Sequence, residues 1–369
     1  MASDATRRPE GPTGPSAGTA HPHPLGTGRL ESADLGVFTL EDGTTLPLTI
    51  AYRHDGQGQG SPQMLIVHAL TGSADAAGDW WEPLIGPGRA LDTDVVGVLC
   101  ANLLGGCYGS TGPTSIDPAT GAAYGTAFPR ITARDQANAL WSLADALGIE
   151  RFALVTGGSL GGMVALELTL ERPAAVDHVL PMAAPAATRG LSLAWNHIQL
   201  ALIDRLGADG LALARQLAMT TYRTELDFAG RFGRGREADG RFSIASYLDY
   251  QGEKLVARFD PETYRVLVRV MDEHDVGRDR GGILAAFRSL AAAGTALTGM
   301  GIGGDILYGP DQVTELVSAA EAAGVRATYR ELQSGKGHDA FLMEWDQLTE
   351  VLREALVPAL ARAAAATAG

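Results

Sequence analysis

At 369 residues, 46% of them hydrophobic, the chain is long enough to bury a full core, as one elaborated domain or two small ones. A net charge of −14 without any evident Lys/Arg cluster argues against a nucleic-acid or membrane-surface binder, and an anionic cofactor would need a local basic patch that the sequence does not plainly display. Cys100 and Cys107, the only cysteines, lack metal-type spacing and fit a reducing cytoplasm; no apolar run is long enough to span a membrane.

Residues 1–28 are rich in Pro, Gly, Ala, Ser and Thr, lack the apolar centre of a signal peptide, and read as a flexible tail. Strands are expected near 36–40, 48–53, 64–68 and 95–101. The third leads into the loop His68-Ala69-Leu70-Thr71-Gly72. Over 133–147 a helix places Ala137, Leu140, Trp141, Ala144 and Leu147 on one face. A strand at 152–156 runs into Gly157-Gly158-Ser159-Leu160-Gly161 and then a helical segment over 162–170. After a strand at 178–183 the strand signal fades, and 191–206, 210–222, 246–259 and 261–271 read as helices. This block, 190–290, has the look of an inserted cap. Strands return at 296–302, followed by Gly303-Gly304-Asp305, and at 327–332, followed by Gly335-Lys336-Gly337-His338-Asp339. The Ala-rich stretch 361–366 reads as a fraying helix end. Alternating strands and helices imply an α/β fold, a mostly parallel sheet covered on both faces, with 29–189 and 291–369 as its core.

A Gly-x-Ser-x-Gly run between a strand and a helix is the nucleophile elbow of the α/β-hydrolase fold: the serine sits on a sharp turn and its neighbours must be glycines so that nothing collides. That fold orders its triad as serine, acid, histidine. Here Ser159 is followed by Asp305 at a strand end and His338 in a loop after the next strand, so His338 would take the Ser159 proton and Asp305 would fix the imidazole tautomer. His21 and His23 fall in the tail, and His54, His178, His197 and His274 lack the loop context. His68 ends an apolar strand and reads as a structural residue of the oxyanion loop. Asp339 is a rival acid, but its adjacency to the histidine makes triad geometry awkward. The oxyanion needs two N–H donors, expected from Leu160, just after the nucleophile, and from Leu70 in the early loop; read alone, that loop is also compatible with a simple β-turn.

The motifs together resemble the homoserine O-acetyltransferases of methionine biosynthesis. The resemblance is carried by His68-Ala69-Leu70-Thr71-Gly72-Ser73, by Leu84-Ile85-Gly86-Pro87-Gly88 and Leu91-Asp92-Thr93-Asp94, and above all by the run from Asn102-Leu103-Leu104-Gly105-Gly106-Cys107 to Tyr108-Gly109-Ser110-Thr111-Gly112-Pro113. Phe128-Pro129, Thr132-Ala133-Arg134-Asp135, the elbow through Met163, and Gly337-His338-Asp339-Ala340-Phe341-Leu342 continue it. It extends over nearly everything after about residue 35. The chain departs from the family in a shorter stretch between Asn196 and Gly210, and in Leu160, Leu168, Gly304 and Gly309, which replace more usual residues.

The resemblance implies Ser159, Asp305 and His338 as the triad, and Arg215 and Tyr222 as cap residues lining the active-site tunnel. It also places Asp339 as the acid beside the catalytic histidine. A guanidinium can grip the carboxylate of an amino-acid acceptor and a carboxylate can pair with its ammonium. By sequence alone Arg215 reads as a helix-surface charge. The implied reaction is ping-pong acetyl transfer from acetyl-CoA, a substrate and not a bound cofactor, to L-homoserine. L-Serine as acceptor, succinyl-CoA as donor, and an esterase on the same triad are the alternatives; one methylene in a pocket is worth only about 1–3 kcal/mol. The family also implies a homodimer formed through the cap.

Overall fold

The computed structural model describes residues 25–367, so most of the expected tail lies outside the described residues. Its last four residues are not a free tail. Leu25 packs on the core, and the amides of Gly26 and Gly28 donate to His54 Nδ1 at 2.8 Å and His54 O at 3.0 Å.

Eight strands form one sheet: β1 (Leu30–Thr39), β2 (Thr45–Gly56), β3 (Gln63–Val67), β4 (Gly97–Ala101), β5 (Leu154–Gly158), β6 (His178–Met182), β7 (Ala296–Ile302) and β8 (Arg326–Leu332). Their order is β1-β2-β4-β3-β5-β6-β7-β8. β2 runs antiparallel to both β1 and β4, and every pairing from β4 through β8 is parallel. β1 starts earlier than its sequence pattern indicates. It is an edge strand with only Ala33 and Phe38 buried, and a bulge between Asp34 and Val37 breaks its alternation. Strands β3, β4, β5 and β7 are buried throughout, as expected where helices cover both faces.

On the faces lie α1 (Ala133–Ala146), α2 (Leu160–Glu171), α8 (Ile283–Ala293), α9 (Pro310–Ala322) and α10 (Trp345–Thr367). Helix α2 begins on the nucleophile and is buried from Leu160 to Leu170, including Glu167. That buried carboxylate is compensated by Arg280 at 2.8 Å, with Arg134 at 3.6 Å.

Between β6 and α8 the cap comprises α3 (Leu191–Leu206), α4 (Ala208–Tyr222), α5 (Glu225–Arg231), α6 (Ser243–Val256) and α7 (Pro261–Asp272). Helices α3 and α4 pack together, α4 packs on α6, and α7 joins α3 to the core through α2. The inserted block expected over 190–290 is therefore too long at its C-terminal side. Helix α8 packs on α2 and α9 and belongs to the core. Its apolar face is read equally well as cap or core from pattern alone.

Candidate active site

Ser159 sits between β5 and α2 with φ 58° and ψ −125°, a conformation that costs a non-glycine residue about 1–3 kcal/mol. Its backbone is held on both sides. The Ser159 amide donates to Met182 O at 2.9 Å, and the amides of Gly162 and Met163 donate to Ser159 O at 2.9 and 3.1 Å. The glycines answer to close approach: a Cβ at Gly157 or Gly161 would stand 2.4 or 2.1 Å from the Val67 carbonyl oxygen.

Asp305 follows β7 and is tied by its own loop, its Oδ1 accepting from the amides of Leu307 at 2.8 Å and Tyr308 at 3.2 Å. Its Oδ2 accepts from His338 Nδ1 at 2.7 Å, which leaves Nε2 as the basic nitrogen. That Nε2 is buried and makes no hydrogen bond, so the Ser159 hydroxyl stands short of bonding contact with it. Phe341 touches both the elbow and the imidazole. A Cβ at Gly158 would lie 2.5 Å from the Phe341 ring, and the same ring meets His338 edge-on with centroids 5.7 Å apart. The structure thus brings Asp305 and His338 into contact and sets both beside the elbow, with the serine–histidine bond unmade. Catalytic hydrogen bonds of this kind are commonly long until substrate binds. Burial pushes the His338 imidazole toward neutrality, but the Asp305 carboxylate outweighs it and holds its pKa above the ordinary value. Trp81 fastens the loop by donating its indole N–H to Phe341 O at 2.9 Å.

His68 is locked as a neutral tautomer. Its Nε2 accepts from the Leu103 amide at 3.1 Å, so Nδ1 carries the proton and donates to Ala69 O at 2.8 Å. Burial lowers its pKa to about 4. The loop it braces packs on the elbow, and Leu70 lies buried within it. Leu160 is the first residue of α2, where an amide has no intrahelical acceptor. His54, His178 and His274 have hydrogen-bond partners away from the elbow: Gln63, Thr298 and the Pro185 carbonyl.

From the cap, Tyr222 stacks on His338, with centroids 5.7 Å apart and planes at 29°, and the Arg215 guanidinium lies 5.4 Å from the Tyr222 ring centre. Tyr308 closes another side of the imidazole at 5.7 Å. Asp339 is already engaged, because Arg223 Nη2 lies 3.1 Å from its Oδ2. Arg223 and Tyr308 have no motif signal of their own; each matters only through what the fold places beside it.

Arg215 also lines a cleft of about 720 Å³ that passes the loop after β3 at Ala69, Thr71 and Gly72. Arg53, Lys254 and Arg258 line it too, with Asp75 and Asp79 opposing them. Arg53 is neutralised by Asp55 and Asp75. Arg258 donates to Thr71 O at 2.9 Å and to the Tyr108 hydroxyl at 2.6 Å, and has no carboxylate partner among the described residues. Folding thus gathers the basic patch that the sequence did not display, from positions too scattered to form a run.

The strained serine, the Asp305–His338 pair and the sheet order define a protein of the α/β-hydrolase fold, and a family model described as alpha/beta hydrolase fold matches residues 62–234. The chain is 41% identical over 346 residues to homoserine O-acetyltransferase from Moorella thermoacetica, covering 85% of this chain and 92% of that one. It is 30% identical to the crystal structure of homoserine O-acetyltransferase from Staphylococcus aureus, with a TM-score of 0.75 over 89% of this chain and 95% of that one. The chain belongs to the homoserine O-acetyltransferase family. Esterase E22, in its L374D form, shares the fold at 22% identity, with a TM-score of 0.82 over 89% of this chain and 99% of that chain.

Proposed function

We propose that the chain is an acetyl-CoA-dependent L-homoserine O-acetyltransferase that works through an acetyl-serine. One observation carries the reading: the Arg215 guanidinium lies over Tyr222 and Tyr222 stacks on His338, which puts a cation beside the base where an acceptor carboxylate would be met. An esterase that admits water has no need of a guanidinium there.

Ser159 Oγ attacks the thioester carbon as its proton passes to His338 Nε2. The amides of Leu160 and Leu70 receive the oxyanion. The C–S bond breaks, the thiolate takes the proton from His338, and CoA leaves. Arg215 then holds the carboxylate of L-homoserine and Asp339 its ammonium. The side-chain hydroxyl gives its proton to His338, its oxygen attacks the acetyl carbon, and collapse returns the proton to Ser159. General-base catalysis contributes about 10²–10⁴-fold and each oxyanion donor about 10²–10³-fold. Lys254 and Arg258 at the cleft suit the phosphates of the donor. Exposed Leu191, Ile198, Leu206 and Tyr250 on the cap support a homodimer formed there.

The test is thiol release by purified protein given acetyl-CoA or succinyl-CoA with homoserine, serine or water alone. Release that depends on acetyl-CoA and homoserine supports the reading; equal release with water alone favours an esterase. Mass spectrometry should find the acetyl group on Ser159 and no active-site acetylation in Ser159→Ala.

A further inference from the structure

Three consecutive cap residues fasten onto the loop that carries the base. Tyr222 stacks on His338, Arg223 pairs with Asp339, and the Thr224 hydroxyl donates to Gly335 O at 2.5 Å. The backbones meet closely as well: a Cβ on Gly337 would stand 3.0 Å from Tyr222 O and 3.2 Å from Thr224 N. Behind them lies the buried carboxylate of Asp227, paired with Lys336 at 2.9 Å and Arg231 at 3.4 Å, with Arg223 at 3.8 Å. The Arg223 side chain is only 15% exposed, and its Nη1 also reaches Met343 Sδ at 3.7 Å. A long cation held this far from water, by contacts to two elements, is not a solvated surface charge.

This arrangement changes what Asp339 is. Its carboxylate is not a bare anion waiting for an ammonium group, because Oδ2 already faces a guanidinium. A carboxylate has lone pairs for several donors, so Oδ1 can still accept from a second cation. We propose that Arg223 is a positioning residue for the acceptor half of the reaction. From the cap side it holds the Asp339 carboxylate where the acceptor ammonium is met, and it balances the negative charge that Asp339 sets beside His338. The inference rests on the acceptor assignment proposed above.

The groups around His338 give the charge argument its sign. Asp305 and Tyr308 face it from the loop after β7, Tyr222 from α4 with Arg215 behind it, and Phe341 and Asp339 from its own loop. Burial keeps both tyrosines protonated and neutral. The anions are Asp305 and Asp339, and both favour the charged imidazole. Removing the Arg223 charge leaves Asp339 uncompensated, so His338 holds its proton to higher pH.

The experiment uses the full chain as R223Q, R223K, D339N and the double variant R223Q/D339N. The pH profile of p-nitrophenyl acetate turnover reads the base without any amino acid, and KM and kcat for homoserine read the acceptor step. R223Q should move the acid limb up by roughly half a unit and raise the homoserine KM about tenfold, impairing homoserine turnover more than ester turnover. R223K keeps the charge and loses the planar fork, so the limb should stay while KM still rises. In the double variant the limb should match that of D339N, since Arg223 acts through Asp339. A wild-type limb and KM in R223Q would overturn the proposal. So would an equal fall of ester and homoserine turnover in R223Q and R223K with no shift of the limb, the mark of a merely structural role. If R223Q does not fold, R223K decides: a raised KM supports the proposal and a wild-type KM overturns it. If the wild type does not use homoserine, the acceptor reading fails by itself, and the ester limb still decides the charge role of Arg223.

Discussion

Asp305 Oδ2 lies 2.7 Å from His338 Nδ1, while Asp305 Oδ1 is held by two backbone amides of its own loop. The carboxylate therefore cannot turn away from the imidazole without abandoning those amides. Because it raises the His338 pKa, and because the base acts only when neutral, the rate of acyl-enzyme formation should rise with pH through a limb above the ordinary imidazole value. Asp305→Asn removes the nearer anion and its hydrogen bond and leaves only Asp339 to oppose burial, which is the larger influence. The limb should move below that value and the rate should fall by about 10⁴-fold, read as single-turnover rates across pH.

Gly161→Ala should destabilise the fold by more than about 3 kcal/mol. The added Cβ would meet the Val67 carbonyl oxygen at 2.1 Å, a backbone atom with no flexible end to yield. Urea unfolding of the variant checks this. Gly162→Ala should cost less, since its nearest neighbour is the Ala184 Cβ at 2.7 Å, although the Gly157 and Met182 carbonyls lie 3.0 and 3.2 Å away.

Arg258→Met should raise the KM for acetyl-CoA about tenfold and leave p-nitrophenyl acetate turnover near wild type. The guanidinium lines the cleft and touches Thr71 O and the Tyr108 hydroxyl, not the triad. High salt should weaken acetyl-CoA binding in the wild type more than in the variant, because a charge contact is what the substitution removes.

Burial lowers the pKa of both His68 and His178 to about 4. Their folded values lie below the unfolded value of 6.5. The stability they contribute is present above that value and is lost as pH falls toward 4, where the unfolded chain takes up protons that the folded chain refuses. Unfolding free energy should decline over this window by on the order of 1 kcal/mol per pH unit for each group. Denaturant titrations from pH 7 to 4 would show it, and His68→Gln should flatten the slope.

The elbow was legible because its physics is local: a strand, a tight turn and a helix are consecutive in sequence, and glycine is what the turn and its neighbours demand. The order of Ser159, Asp305 and His338 was legible because each follows a strand of the parallel sheet, β5 and β7 buried throughout and β8 closing on the buried Leu332. The start of β1 was not, since an exposed edge with a bulge carries no alternation. Helix α5 was missed because it is only seven residues long, too short for a periodic stripe. Long-range pairings left no trace either. Arg223 and Asp339 are brought together by the way α4 ends, and nothing in either neighbourhood marks the other as its partner.

Gly157 and Gly161 both crowd a single oxygen at the end of β3, so neither position can accept a side chain without moving that strand. A side chain at either glycine is therefore closed as a means of changing what the serine acylates. New acceptors would have to be acquired by redrawing the roof, through residues such as Arg215 and Tyr222, over a floor that stays fixed.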